Sequence, residues 1–223
     1  MKKNCTEVVF ILDRSGSMCG LEKDTIGGFN SLINKQKKQD GKVLVSTVLF
    51  NDSSVVIHDR KPIDKVRLMT NKDYEVYGCT ALLDALGSSI RHIGNIYKYA
   101  RIEDVPEHTM FVIITDGMEN ASRYYSKERV KSMIEYEKEK YGWEFLFLAA
   151  NMDAIDTASQ YGIDKDHAVN YQCDSVGIRL NYEVLDEAIQ CICSGVPLSK
   201  SWKSKIEKRK QEPTMWFFSC LID

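Results

Sequence analysis

The sequence predicts an α/β fold: a doubly wound, mostly parallel six-stranded sheet with one antiparallel edge strand and helices on both faces. Three observations predict it. Short apolar runs alternate along the chain with segments whose apolar residues recur at the helical period, the pattern of a parallel sheet with crossover helices. The runs at 7–12 and 110–115 are continuously apolar, as strands covered on both faces are. Only Asn51-Asp52-Ser53 separates the runs at 42–50 and 54–63, which is hairpin length and makes the second of them antiparallel.

Taken in order, residues 7–12 form the first strand. A helix follows over 22–39, where Ile26, Phe29, Leu32 and Ile33 share one face. Gly27-Gly28 weakens that helix, so it either bends there or lets another backbone approach. The strand KVLVSTVLF (42–50) comes next, then SVVIHDRKPI (54–63), whose polar content suits a sheet edge. From Thr80 to Tyr99 the residues Leu82, Leu83, Leu86, Ile90, Ile93 and Ile96 keep helical spacing. The buried strand MFVIIT (110–115) leads to a helix over 126–142, capped by Ser126 and stopped by Gly142. A strand at 143–151, a short helix at 153–161, a short strand at 167–171 and a helix at 175–195 complete the alternation. The segment 199–212 is dense in Lys and Arg, and Pro213 precedes an aromatic stretch, MWFFSCLI.

Composition narrows the function. The 223 residues are 43% hydrophobic, enough to fill a core, and 30 basic residues nearly balance 32 acidic ones. The whole chain therefore carries no electrostatic argument for nucleic acid or an anionic membrane. Seven cysteines are scattered without a CxxC pair, and an odd number cannot pair completely. The apolar run after Lys2-Lys3 is shorter than the roughly 7–15 residues of a secretion-signal core. No run approaches the roughly 20 apolar residues of a membrane helix. The expectation is a cytoplasmic protein with reduced thiols.

Chemistry concentrates at three points. Asp13-Arg14-Ser15-Gly16-Ser17 follows the first strand, Gly78-Cys79-Thr80 heads a helix, and Thr115-Asp116-Gly117 ends the fourth strand. In an open α/β sheet such points converge at the carboxyl ends of the strands, where the strand order reverses. Two carboxylates and three hydroxyls make an all-oxygen site, suited to Mg²⁺, Mn²⁺ or Ca²⁺ rather than Zn²⁺. Singly, each motif reads as a turn or a helix cap. The four histidines show no metal-ligand spacing.

Together, DRSGS at 13–17, the threonine of GCTALLDAL and TDG at 115–117 resemble the metal ion-dependent adhesion site of von Willebrand factor type A domains. The resemblance spans residues 5–195, with 196–223 as a basic and aromatic extension, and is to intracellular bacterial members of the family. It implies that Ser15, Ser17 and Thr80 bind a Mg²⁺-type cation directly and that Asp13 and Asp116 act mostly through water. It further implies a non-enzymatic adaptor whose partner protein completes the coordination with an Asp or Glu. Arg14, Met18, Cys79, Met118, Glu119 and Asn120 rim the expected site as partner contacts, with Asn151 nearby. Cys79 stands where the family often has glycine, so Cys19 and Cys79 are either small, partly buried residues or a redox pair.

Two alternatives belong to other classes. One is a metal-dependent hydrolase or phosphatase using Asp13, although a phosphatase of the haloacid dehalogenase type carries a second aspartate where Ser15 stands, and no Gly-x-Ser-x-Gly elbow is present. The other is a structural subunit with a degenerate metal site whose tail drives assembly. In the tail, Trp202, Trp216, Phe217 and Phe218 are either apolar anchors or part of a helix and strand packed on the domain.

Overall fold

The computed structural model describes residues 1–211. Six strands and six helices alternate: β1 (Lys2–Asp13), α1 (Glu22–Gln36), β2 (Lys42–Phe50), β3 (Ser54–Pro62), α2 (Leu82–Tyr99), β4 (Pro106–Thr115), α3 (Lys127–Tyr141), β5 (Glu144–Ala149), α4 (Ala154–Gln160), β6 (Ala168–Asn170), α5 (Ser175–Cys193) and α6 (Ser204–Gln211). The strands form one sheet in the order β3-β2-β1-β4-β5-β6. Only β3 runs antiparallel, at the edge, as the three-residue connection predicts. Strand order reverses at β1, which feeds β2 on one side and has β4 on the other.

Side-chain alternation along β1 divides the interior. Val8, Phe10 and Leu12 pack with Phe29 and Leu32 of α1 and Ile178, Leu185 and Ile189 of α5. Val9 and Ile11 face the other way, toward Leu82, Leu86 and Ile90 of α2, Val130 and Ile134 of α3, and Ala154 and Ala158 of α4. Each large side chain so buried contributes roughly 1.5–3 kcal/mol, which is why a strand apolar on both faces settles at the centre of the sheet.

Local signals set the boundaries. The Ser126 hydroxyl accepts from the Arg129 N–H at the start of α3, and Gly142 ends that helix with φ 66°. Gly28 admits the ring of Tyr182 from α5, which lies 2.2 Å from where a Cβ would stand. The close approach expected at the glycine pair is thus a side chain rather than a backbone. β1 and β4 begin several residues earlier than their apolar runs, because pairing with neighbours recruits the polar residues ahead of them.

After α5 the chain stays on the domain. Trp202 and Ile206 are buried in the core beside α5, and the Trp202 indole N–H donates to the Asp166 carbonyl (2.8 Å). Lys203, also buried, donates to the carbonyls of Lys165 and Ala168. Trp202 is therefore withdrawn from any anchoring role. Pro213, Trp216, Phe217 and Phe218 lie outside the described residues. No helix among the described residues is long and apolar enough to cross a membrane.

Candidate metal centre

The last residue of β1 is Asp13, and Asp116 directly follows β4. Because these strands are adjacent and parallel, their ends place both carboxylates in the crevice at the strand-order reversal. Both side chains are about 1% exposed. Asp13 Oδ1 accepts from the Ser15 N–H (2.7 Å), and Asp13 Oδ2 from the Thr115 hydroxyl (2.6 Å). The Tyr74 hydroxyl donates to the Asp13 carbonyl. Burial pushes the Asp13 carboxyl above its ordinary pKa, hydrogen bonds from Ser15 and Thr115 oppose that rise, and the neighbouring Asp116 charge adds to it.

The chain then turns through a short 3-10 segment, Gly16–Met18. The turn brings the Ser17 hydroxyl, donating, to 2.5 Å from Asp116 Oδ1, with the Ser15 hydroxyl oxygen 3.1 Å from that of Ser17. The same turn carries Met18 inward, where it is fully buried. Met18 is thus a core residue rather than the rim contact the sequence suggested. Its side chain joins the apolar core that includes Phe10, Leu12 and Phe29.

Thr80 arrives from a separate loop. That loop is tied to the first by Gly16 N–H donating to the Gly78 carbonyl (3.0 Å) and Tyr77 N–H to the Arg14 carbonyl (3.1 Å). Gly78 has φ 77°, and a Cβ there would stand 2.0 Å from the Asp52 carboxylate, so both conformation and space demand glycine. Thr80 and Asn120 clamp each other: Thr80 N–H donates to Asn120 Oδ1 (2.9 Å), and Asn120 N–H to the Thr80 carbonyl (3.0 Å).

The three hydroxyls converge over Gly117. A Cβ on that residue would stand 3.1 Å from the Ser17 and Thr80 hydroxyl oxygens and 3.9 Å from that of Ser15. A small cradle of hydroxyl oxygen is therefore kept open by a glycine, beside two buried carboxylates. Neither carboxylate forms an ion pair with Lys, Arg or His among the described residues. Groups of three or more His, Cys, Asp or Glu that could hold an ion are absent from the described residues. The donor set is thus neutral hydroxyls plus two carboxylates, which fits a hard divalent cation.

Of the other rim residues, Arg14 is buried with its guanidinium 5.3 Å from the Tyr77 ring centroid. Met118, at 69% exposure, projects into solvent. Glu119 uses its carboxylate internally, accepting from the N–H groups of Leu83, Ala121 and Ser122 and from the Ser122 hydroxyl. It thereby fastens the loop after β4 to the start of α2, which holds Asp116 and Thr80 in register. Asn151, at φ 56°, donates through Nδ2 to the Asp116 carbonyl (3.3 Å). Cys19 and Cys79 are both exposed thiols rather than partly buried ones.

Four further residues support the site, Thr115, Tyr74, Tyr171 and Cys173, and the last three lack any mark in the sequence. The Tyr171 hydroxyl donates to the Thr115 carbonyl (3.2 Å), and the Cys173 thiol to Asp116 Oδ2 (3.4 Å). Burial and the Asp116 charge push the Cys173 thiol up to about 12, so it stays a protonated donor. Thr115 alone had a cue, its place in the Thr-Asp-Gly run.

No family model matches the chain, and no curated protein matches it in sequence. Solved structures do. The von Willebrand factor domain of the type V pili tip protein Mfa5 from Porphyromonas gingivalis superimposes with a TM-score of 0.61 at 10% identity, covering 89% of this chain and 98% of that one. A von Willebrand factor type A protein from Catenulispora acidiphila gives 0.54 at 12% identity, covering 83% and 42%. Proximal thread matrix protein 1 from the mussel byssus, with a zinc-occupied adhesion-site motif, gives 0.56 at 16% identity, covering 84% and 46%. The chain spans less than half the length of the last two. Its fold is that of von Willebrand factor type A domains.

Proposed function

We propose that this chain is a non-enzymatic protein-binding module that recognises an acidic side chain of its partner through a divalent cation. The observation that carries this reading is the convergence of the Ser15, Ser17 and Thr80 hydroxyls over Gly117, beside Asp13 and Asp116. The three hydroxyls would hold the cation directly, and the two buried carboxylates would balance its charge and orient its waters. Neutral direct ligands leave the cation with strong attraction for one more anionic oxygen, and a partner's Asp or Glu supplies it. Mg²⁺ is the cation of choice, with Mn²⁺ and Ca²⁺ as chemically similar substitutes. The likeness in fold to a pilus tip domain and a byssus matrix protein supports a role in protein contact.

Calorimetric titration with Mg²⁺, Mn²⁺ and Ca²⁺ tests the site. Wild type is expected to bind one ion. Thr80→Ala is expected to weaken binding about tenfold, the scale of one lost ligand or its support. Gly117→Ala fills the cradle with a methyl group and is expected to abolish binding while leaving the fold intact. Equal affinity in all three proteins would refute the assignment.

A further inference from the structure

Beside the metal site lies a cleft of about 590 Å³, bounded by the β2–β3 turn, α2 and the start of α3. Three arginines reach it: Arg91 from α2, Arg123 from the loop after β4, and Arg129 from α3. Arg91 and Arg129 stand 5.9 and 5.1 Å from the centroid of the buried Tyr125 ring, which holds both guanidiniums at the cleft wall. None of the three forms an ion pair among the described residues. The two acids at the cleft are already engaged. Asp84 accepts from the backbone N–H groups of Arg123, Tyr124 and Tyr125, and Asp52 accepts from that of Cys79. The cleft therefore presents three solvent-exposed guanidiniums without an ion-pair partner among the described residues, outnumbering two carboxylates that are held by backbone N–H groups.

We propose that this cleft binds an acidic segment of the partner, next to the side chain that completes the metal site. The proposal rests on the metal reading only for where that segment begins. Its spacing follows from α2. Thr80 precedes the helix, and Arg91 lies nine residues beyond Leu82, roughly 14 Å along the axis at 1.5 Å per residue. An extended peptide advances roughly 3.3 Å per residue, so four or five residues separate the metal-bound carboxylate from a second acidic group at Arg91. Planar guanidiniums accept carboxylates in paired hydrogen bonds, which gives the contact direction as well as charge.

Fluorescein-labelled hexaglutamate is the probe, read by anisotropy with chelator present throughout, so that the result is independent of any cation. Wild type is expected to bind, and the triple variant Arg91→Gln, Arg123→Gln, Arg129→Gln to bind about tenfold more weakly, the sum of three solvent-facing ion pairs. Arg123→Glu, at an exposed loop position, keeps the test valid if the triple variant unfolds and is expected to weaken binding at least as much as loss of one pair. A control with the same loss of charge elsewhere, Lys3→Ala, Lys38→Ala, Lys72→Ala, is expected to bind as wild type does. Undiminished binding by Arg123→Glu and the triple variant, or an equal loss in the control, would overturn the cleft. Calorimetric binding of inorganic phosphate without binding of hexaglutamate would overturn the peptide assignment in favour of a phosphate ligand. Titration with Mg²⁺ alone reports separately on the metal site.

Discussion

Strand β1 buries two carboxylates six residues apart, Glu7 and Asp13, and they are handled in opposite ways. Glu7 meets a resident cation. The Arg60 guanidinium donates to both of its oxygens (3.0 and 3.1 Å from Nε, 2.9 Å from Nη2), and the Tyr97 hydroxyl donates to Oε2 (3.0 Å). Asp13 meets only hydroxyl and amide donors, and a second carboxylate, Asp116, stands nearby. A buried charge needs compensation. At Glu7 the chain supplies it and the result is a strut tying β1 to the sheet edge. At Asp13 the chain supplies hydrogen bonds but no cation, and under the proposed function a bound divalent ion would provide that charge.

The largest expected effect is on the strut. Glu7→Ala would leave a half-buried guanidinium without its partner and is expected to cost about 3 kcal/mol in urea unfolding. Asp13→Asn removes one of two neighbouring like charges and is expected to unfold, in chelator, at the same urea concentration as wild type or higher. Next comes the cation itself. At free Mg²⁺ about a hundredfold above its Kd, wild type is expected to gain about 2.7 kcal/mol, and Asp13→Asn to gain none. If Asp13→Asn in chelator lost as much stability as Glu7→Ala, the contrast between the two carboxylates would collapse. If both variants responded equally to Mg²⁺, the ion would be binding elsewhere.

Much of this was legible in the sequence because it is local. Each of Asp13, Ser15, Ser17, Thr80 and Asp116 sits beside a strong element signal, the end of an apolar strand or the head of an amphipathic helix, so topology alone brings them together. What stayed hidden depends on contacts between residues far apart in the chain. Glu7 gives no sign of its partner Arg60, 53 residues on, because the pairing follows from the antiparallel return of β3 and a bulge with φ 46° at Arg60. Cys173, just before α5, reaches Asp116 only because β6 ends beside β5. Met18 misled because a 3-10 turn reverses the direction its neighbours suggest. Glu119 offered a charge near the site, and only the folded loop shows that its oxygens are consumed by backbone N–H groups.

The smallest expected loss belongs to a third carboxylate, which like Glu7 has an arginine partner but lacks the burial. Asp73 accepts from Arg67 Nη1 and Nη2 (2.8 and 2.7 Å) and from the Thr70 N–H and hydroxyl. Those hydrogen bonds, led by Arg67, hold its carboxyl well below the ordinary range. A depressed folded pKa adds stability that is complete above the unfolded value of about 3.9 and disappears as pH falls through the lower folded value. Arg67 is half exposed, and water screens the pair, so Asp73→Asn is expected to cost only about 1 kcal/mol near pH 7. The gap between variant and wild type in urea unfolding should stay constant down to about pH 4 and narrow below it. A cost matching that of Glu7→Ala would show that ion pairing, rather than burial with ion pairing, makes the strut. A negligible cost would place the whole difference between Glu7 and Asp13 in what the interior does to an uncompensated charge.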